Sequence, residues 1–266
     1  MIDSYNPIFV HSDIGRGVLA IKRKGAKIDS KNICSSILEF LSQQVDGELC
    51  RVILPGFNYD YGKTRVYKPD YDPVQVGALP EWIRTNCEFN RSNVPFFSVL
   101  SKSKIELKKT KIINPFGSES IFGHLVSSDA TIVLLGTGLC SLTFIHHVEE
   151  MVGKPCYRYK KSFPGQIINA KKESYDCEYA MHVRPLGINM DYDWKRLTDD
   201  LLLEGILNID NDTQDLRYIK AQRLIEYWGN RLNEDPFYLL DTKSKVYFMD
   251  KTLSGSRRVQ IEDYES

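Results

Sequence analysis

Three short apolar runs punctuate the first half of the chain: Pro7-Ile-Phe-Val-His11, Arg51-Val-Ile-Leu-Pro55 and Thr131-Ile-Val-Leu-Leu135. Each meets a glycine or another turn signal within a few residues, which is the pattern of buried strands. Between the first two, Cys34, Ile37, Leu38, Leu41 and Val45 recur at helical spacing. They predict an amphipathic helix, with Asp29 or Ser30 to cap its start and Gly47 to end it. Strand, helix, strand predicts a βαβ unit, and so a sheet with helices on its faces. Pro80-Glu-Trp-Ile-Arg-Thr reads as a short helix with proline in its first turn. Tyr179–Arg184 alternates and is bounded by Pro185 and Gly187, which predicts a strand. Trp194–Leu207 and Tyr218–Leu232 read as helices, and Phe237–Leu240 and Lys245–Met249 as late strands. The polar tail from Gly255 is expected to fray. The pattern predicts one α/β domain over residues 1–266, with a C-terminal subdomain from about residue 156 as a variant.

The stretch from Leu134 to Glu150 joins this pattern to chemistry. An apolar run ends in Gly136 and Gly138, and a helical pattern follows that carries Thr143, His146 and Glu149. Spacings of three bring those side chains to roughly one helix face. A neutral imidazole beside a carboxylate is a candidate general base with its orienting partner. His147 points about 100° away from His146, so only His146 shares a face with Glu149. A core histidine bonded to a structural carboxylate has the same spacing. The glycines allow a ligand to approach the backbone at the head of the helix. The end of the first strand, Val10-His-Ser-Asp-Ile-Gly-Arg-Gly17, offers Ser12 and Asp13 where α/β sheets bind ligands, with Gly15 and Gly17 freeing N–H groups. A plain polar turn is the alternative there. Arg91 and Ser92 are candidates to hold a phosphate or carboxylate, against a surface ion pair. The segment Tyr59–Tyr71 mixes tyrosines with Lys63, Arg65 and Lys68, which suits either a nucleotide or a solvated loop.

Composition narrows the function classes. Lysines and arginines number 35, as do aspartates and glutamates. The basic excess of a nucleic-acid binder is therefore missing, and no nucleic-acid partner is expected. Hydrophobic residues at 42% and charged residues at 26% fit a globular chain. No apolar run approaches the roughly 20 residues of a membrane span, and the N-terminus lacks a basic region followed by an apolar stretch. A cytoplasmic location without membrane insertion is expected. Six cysteines contain no C-x-x-C pair, so reduced, partly buried thiols are expected and no zinc site.

In order along the chain, these segments resemble the aminoglycoside 3-N-acetyltransferase family, also called the antibiotic N-acetyltransferase family. The carriers are Val10-His-Ser-Asp13, Ile53-Leu-Pro-Gly-Phe57, Gly77-Ala-Leu79, Arg91-Ser-Asn-Val-Pro-Phe-Phe-Ser98 and Phe116-Gly-Ser-Glu-Ser120. The last are Leu135-Gly-Thr-Gly138 and Thr143-Phe-Ile-His-His-Val-Glu149, so that the likeness runs roughly from residue 5 to 190. The resemblance implies a layered α/β fold, a central mixed β-sheet flanked by helices. It also implies acyl transfer from acyl-coenzyme A to a sugar amine, with Thr143, His146 and Glu149 at the active site. His11 and Ser12 would lie near the pantetheine and thioester, extended here to Asp13 and Gly15, and Arg91 and Ser92 near the same cleft. No metal is implied, because a thioester is already activated.

The departures bear on the acceptor. Val94 and Phe97 stand where the family's aminoglycoside enzymes carry histidines, Leu142 replaces an asparagine and Asp13 a serine. Aminoglycosides are polycations that call for an acidic site, and the matched region has no marked acidic run. Relatives of this length acylate nucleotide-linked amino sugars for surface polysaccharide (lipopolysaccharide) synthesis. Pro155-Cys-Tyr-Arg-Tyr-Lys-Lys-Ser-Phe-Pro-Gly165 looks like those relatives, with Arg158, Lys160 and Lys161 for a pyrophosphate. The expectation is therefore an acyl-CoA-dependent N-acyltransferase acting on a nucleotide-linked amino sugar, with a His/Glu general base. An aminoglycoside acetyltransferase is the alternative. A hydrolase built on Ser12, His146 and Glu149 and a non-catalytic coenzyme A or nucleotide-binding protein stay open, as does a homodimer.

Overall fold

A computed structural model describes residues 6–105, 112–153 and 155–265. The three apolar runs become the middle of a seven-stranded sheet: β1 (Ile8–Ser12), β2 (Val52–Pro55) and β7 (Thr131–Leu135). β1 pairs in parallel with β2 on one side and β7 on the other. Beyond β2 run β5 (Val99–Ser101) and β4 (Asn90–Arg91), and beyond β7 run β11 (Leu216–Lys220) and β10 (Leu207–Ile209). These outer pairings are antiparallel, so the sheet is mixed, as expected.

Strand periodicity sorts the core into two layers. Ile8 and Val10 pack with Val52, Leu54, Val133 and Leu135 in one cluster, and Phe9 with Ile53, Ile132 and Leu134 in the other. The first is covered by α1 (Ile14–Arg23), α2 (Ile33–Gln43) and α4 (Ala78–Asn86). The second is covered by α5 (Ile121–Ser127), α6 (Ile145–Val152), α7 (Trp194–Leu203) and α8 (Ala221–Glu234), with α9 (Thr242–Lys251) outside them. Strands buried on both faces read as unbroken apolar runs, which is why these three stand out. A second sheet is built on the long hairpin of β8 (Tyr159–Ile168) and β9 (Ser174–Val183). It is flanked by β3 (Val66–Tyr67), which follows the single turn α3 (Tyr61–Thr64), and by β6 (Ile112–Ile113).

Four expectations are corrected. The segment after β1 is a helix: the Asp13 side chain accepts the Arg16 amide at 2.9 Å and caps α1. Two helix bounds move: α7 ends at Leu203 and Leu207 opens β10, while Tyr218 belongs to β11 and its helix starts only at Ala221. The late strands are absent among the described residues. Lys245–Met249 lies within α9, which Asp241 caps through the Ser244 amide at 2.7 Å, and Phe237–Leu239 is a turn that leads to an isolated antiparallel bridge from Leu240 to Tyr192. The tail does not fray. Val259 is fully buried, Tyr264 stacks on Tyr159, and Arg258 donates to the carbonyls of Gly153, Pro155 and Arg158.

Candidate active site

The site is built where β7 runs out. Gly136 follows it with φ of 72°, and a Cβ there would lie 2.3 Å from the Gly17 nitrogen, so the close approach of β7's end to α1 requires glycine. A 3-10 turn, Leu139–Ser141, then leads into α6. Leu139, Leu142, Ile145 and Val148 are buried beneath this segment and fix its rotation. Thr143 lies just before α6 rather than on it, and its carbonyl accepts the His146 amide at 3.1 Å. His146 and Glu149 stand one turn apart on the helix, as their spacing predicts.

Glu149 is the hub. His146 Nδ1 lies 3.0 Å from Glu149 Oε2, and the Tyr157 and Tyr192 hydroxyls each donate to Oε1 at 2.8 Å. Arg158 Nε sits 2.9 Å from Oε2, an ion pair by charge rather than an aligned hydrogen bond. Burial by itself would raise the Glu149 pKa. The Arg158 charge and the His146 and Tyr192 hydrogen bonds outweigh it and carry the value down to about 2. Burial, then the Arg158 charge, lowers the His146 pKa against the opposing pull of Glu149. His146 is therefore neutral at pH 7. Three groups crowd Nδ1: the Glu149 carboxylate at 3.0 Å, which can only accept, Arg158 Nη2 at 3.2 Å, which can only donate, and the Tyr192 hydroxyl at 3.3 Å. The shortest contact, to the ionised carboxylate, puts the proton on Nδ1 and leaves Nε2 its lone pair. That is the tautomer of a general base, and the His146 side chain remains 28% exposed.

A second pair adjoins the first. Glu150 Oε2 lies 2.6 Å from His182 Nδ1, and Oε1 accepts the Asn114 amide at 2.9 Å. His146, Glu149, Glu150, Arg158, His182 and Arg258 line one narrow hollow with Phe116 and Pro155. His147 faces away from it: it is buried against Phe122 and bonded to the Phe116 carbonyl at 2.7 Å.

The other candidates divide by strand face and by partner. His11 follows Phe9 onto the α5–α6 side of the sheet, and ring contacts run from His11 through Phe9, Phe122 and Phe116 to His146. Its Nε2 is buried without a hydrogen-bond partner, and burial lowers its pKa to about 4. Ser12 alternates to the opposite face, its Oγ also buried and unpartnered. A Ser12–His146 hydrogen bond is thus not formed, and the triad of a serine hydrolase is not assembled. Asp13 is the cap of α1, and Gly15 lies in its first turn, where N–H groups have no partner within the helix. This helix start faces Gly136 at the carboxyl ends of β1 and β7, where the sheet order reverses.

Arg91 is not arranged to receive an anion. Its guanidinium donates to the Gly56, Pro69 and Asp72 carbonyls and to the Ser98 hydroxyl, over the Tyr67 ring. It is a clasp between loops. The Ser92 hydroxyl accepts the Val99 amide at 2.9 Å, within the same clasp. The pyrophosphate reading of Pro155–Gly165 also changes, because Arg158 pairs with Glu149 and Lys161 with Glu265. Sequence reading missed Tyr157, Tyr192 and the Glu150–His182 pair. Tyr192 and His182 lie 43 and 32 residues from their partners, beyond any spacing rule, and Tyr157, 8 residues past Glu149, lies outside the helix that carries it.

The family model described as aminoglycoside 3-N-acetyltransferase matches residues 58–233. Comparison with curated protein sequences finds no match. Among solved structures, apo aminoglycoside acetyltransferase AAC(3)-IVa is similar at a TM-score of 0.65 and 17% identity, over 90% of this chain and 86% of that one. AAC-IIIb in a binary complex with CoASH has a TM-score of 0.65 and 17% identity, over 86% and 90%. A mutant of AAC(3)-IVa in complex with apramycin has a TM-score of 0.61 and 16% identity, over 88% of each chain. At these identities the likeness shows a shared fold.

Proposed function

The chain belongs to the aminoglycoside 3-N-acetyltransferase family, and from that premise we propose that it moves an acyl group from acyl-coenzyme A to a primary amine of an amino sugar. The observation that carries this reading is the His146–Glu149 pair, with its carboxylate locked in the ionised form and Nε2 left as the accepting nitrogen. The amine nitrogen attacks the thioester carbonyl, and a C–N bond forms. His146 Nε2 takes the proton from the adduct nitrogen and returns it to sulfur as the C–S bond breaks. Glu149 holds the ring and stabilises the imidazolium. Oxyanion donors are the N–H groups at the start of α1, around Gly15, and the Thr143 hydroxyl. The thioester and pantetheine would pass His11 and Ser12, whose unpartnered buried polar atoms can accept ligand hydrogen bonds.

An aminoglycoside is the better-supported acceptor. A related fold is solved with apramycin bound, whereas two of the three cations behind the nucleotide-linked reading, Arg158 and Lys161, are engaged in ion pairs. Val94 and Phe97 remain the departures that speak for it. Thiol release from acetyl-coenzyme A decides between them. Apramycin and gentamicin are compared with nucleotide-linked 3-amino and 4-amino sugars. Release with the former supports the resistance-type reading, and release only with nucleotide sugars reverses it. Silence with every amine and every acyl chain length removes the transferase reading.

A further inference from the structure

The acceptor reaction, taken as proposed above, has a proton count that one histidine does not meet. An amino-sugar amine is mostly an ammonium at neutral pH, and an ammonium has no lone pair for attack. One proton must leave nitrogen before the C–N bond forms. A second leaves the adduct nitrogen and ends on sulfur. The overall change is ammonium plus thioester to amide, thiol and one free proton. His146 accounts for the second proton alone.

We propose that His182, braced by Glu150, takes the first proton from the acceptor ammonium and passes it to solvent. His182 comes from β9 of the second sheet, yet it lines the same hollow as His146. Glu150 Oε2 holds its Nδ1 at 2.6 Å, and Asn114 fixes the other carboxylate oxygen at 2.9 Å. This repeats the order of the His146–Glu149 pair: an oriented ring with Nε2 left to accept. The two carboxylates are adjacent on α6 but differ in partner. Glu149 faces the buried Arg158, which cancels its charge, whereas Glu150 faces an imidazole and keeps a charge that attracts an ammonium. The His182 side chain is 25% exposed, which gives the proton a way out. The surrounding charges are His146 and Glu149 on α6, Arg158, Arg258 of the tail, Arg184, and Lys160, the cross-strand partner of His182 in β8.

The test is the pH profile of kcat/KM for His182→Gln, Glu150→Gln and His146→Gln with acetyl-coenzyme A and the amine the wild type accepts. His182→Gln should lose roughly 100-fold near pH 6.5. The loss should shrink to a few-fold near pH 9, where the acceptor arrives as free amine. Glu150→Gln should show the same trend with a smaller loss, and it keeps the test open if His182→Gln does not fold. His146→Gln should stay low at every pH. A His182→Gln loss that is equal at both pH values would make the pair a structural brace and overturn the proposal, as would no loss. A wild type that releases thiol with no amine would instead sink the function on which it rests.

Discussion

Replacing Glu149 by glutamine separates the two jobs that the structure gives this carboxylate. The first is electrostatic. Its pKa falls from an ordinary 4.5 to about 2 in the fold, which corresponds to about 3 kcal/mol at ~1.4 kcal/mol per pH unit. The sign follows from the depressed value. This stability is present above pH 4.5 and is lost as the pH falls toward 2. Glutamine removes the charge at every pH and leaves Arg158, 8% exposed, without its counter-ion. A broken buried pair costs about 3–5 kcal/mol, which agrees with the linkage figure. Melting should fall by roughly 6–12 °C at pH 7, and the gap to wild type should close in acid. The second job is tautomeric. Glutamine can present its N–H₂ to His146 Nδ1 and move the ring proton to Nε2, which then cannot accept. A wrong tautomer in a catalytic triad costs about 10⁴ in kcat, so a loss of ~10²–10⁴ is expected in thiol release. The double variant Glu149→Gln with Arg158→Met should recover most of the stability, because no buried charge is stranded, and none of the activity. A double variant as active as wild type would refute the tautomer argument. A single variant that melts within a degree of wild type would refute the electrostatic one.

Three further predictions use the same structure. Because burial and Arg158 hold the His146 pKa below 6.5, the acidic limb of kcat/KM should fall below pH 6.5; a midpoint above 7 would exclude His146 as the base. Gly136→Ala forces a Cβ into the α1 backbone at positive φ; we expect a loss of more than about 2 kcal/mol in urea unfolding, and a neutral variant would show that β7's end can shift. Arg91→Lys should weaken the loop clasp by about 1–3 kcal/mol while KM for acetyl-coenzyme A changes less than about two-fold. A ten-fold rise in KM with unchanged melting would return Arg91 to anion binding.

What was legible in the sequence follows from how local each feature is. Strands buried on both faces announce themselves as apolar runs, so β1, β2 and β7 stand where the pattern put them. The His146–Glu149 pair lies within one helical turn, and spacing alone finds it. α1 was missed because Asp13, Gly15 and Gly17 read as a polar turn. Its glycine content answers a tertiary need: a Cβ on Gly17 would lie 3.1 Å from Leu135. Lys245–Met249 alternates like a strand, but the Asp241 cap and packing behind the core decide for helix. Arg91 and Arg158 show the deeper limit. A sequence displays an arginine but not its acceptor, and both of these find theirs inside the protein, on carbonyls and on Glu149. The first motifs of the family likeness, up to Phe57, precede the matched span of 58–233. Position in the sheet, rather than motif, therefore supports their role: His11 and Ser12 lie at the carboxyl end of the central strand, each with a buried polar atom that the fold itself does not satisfy. Buried groups left unpaired cost stability, so coenzyme A that bonds His11 Nε2 or Ser12 Oγ should raise the melting temperature, and an unchanged melting point at saturating coenzyme A would remove both residues from its path.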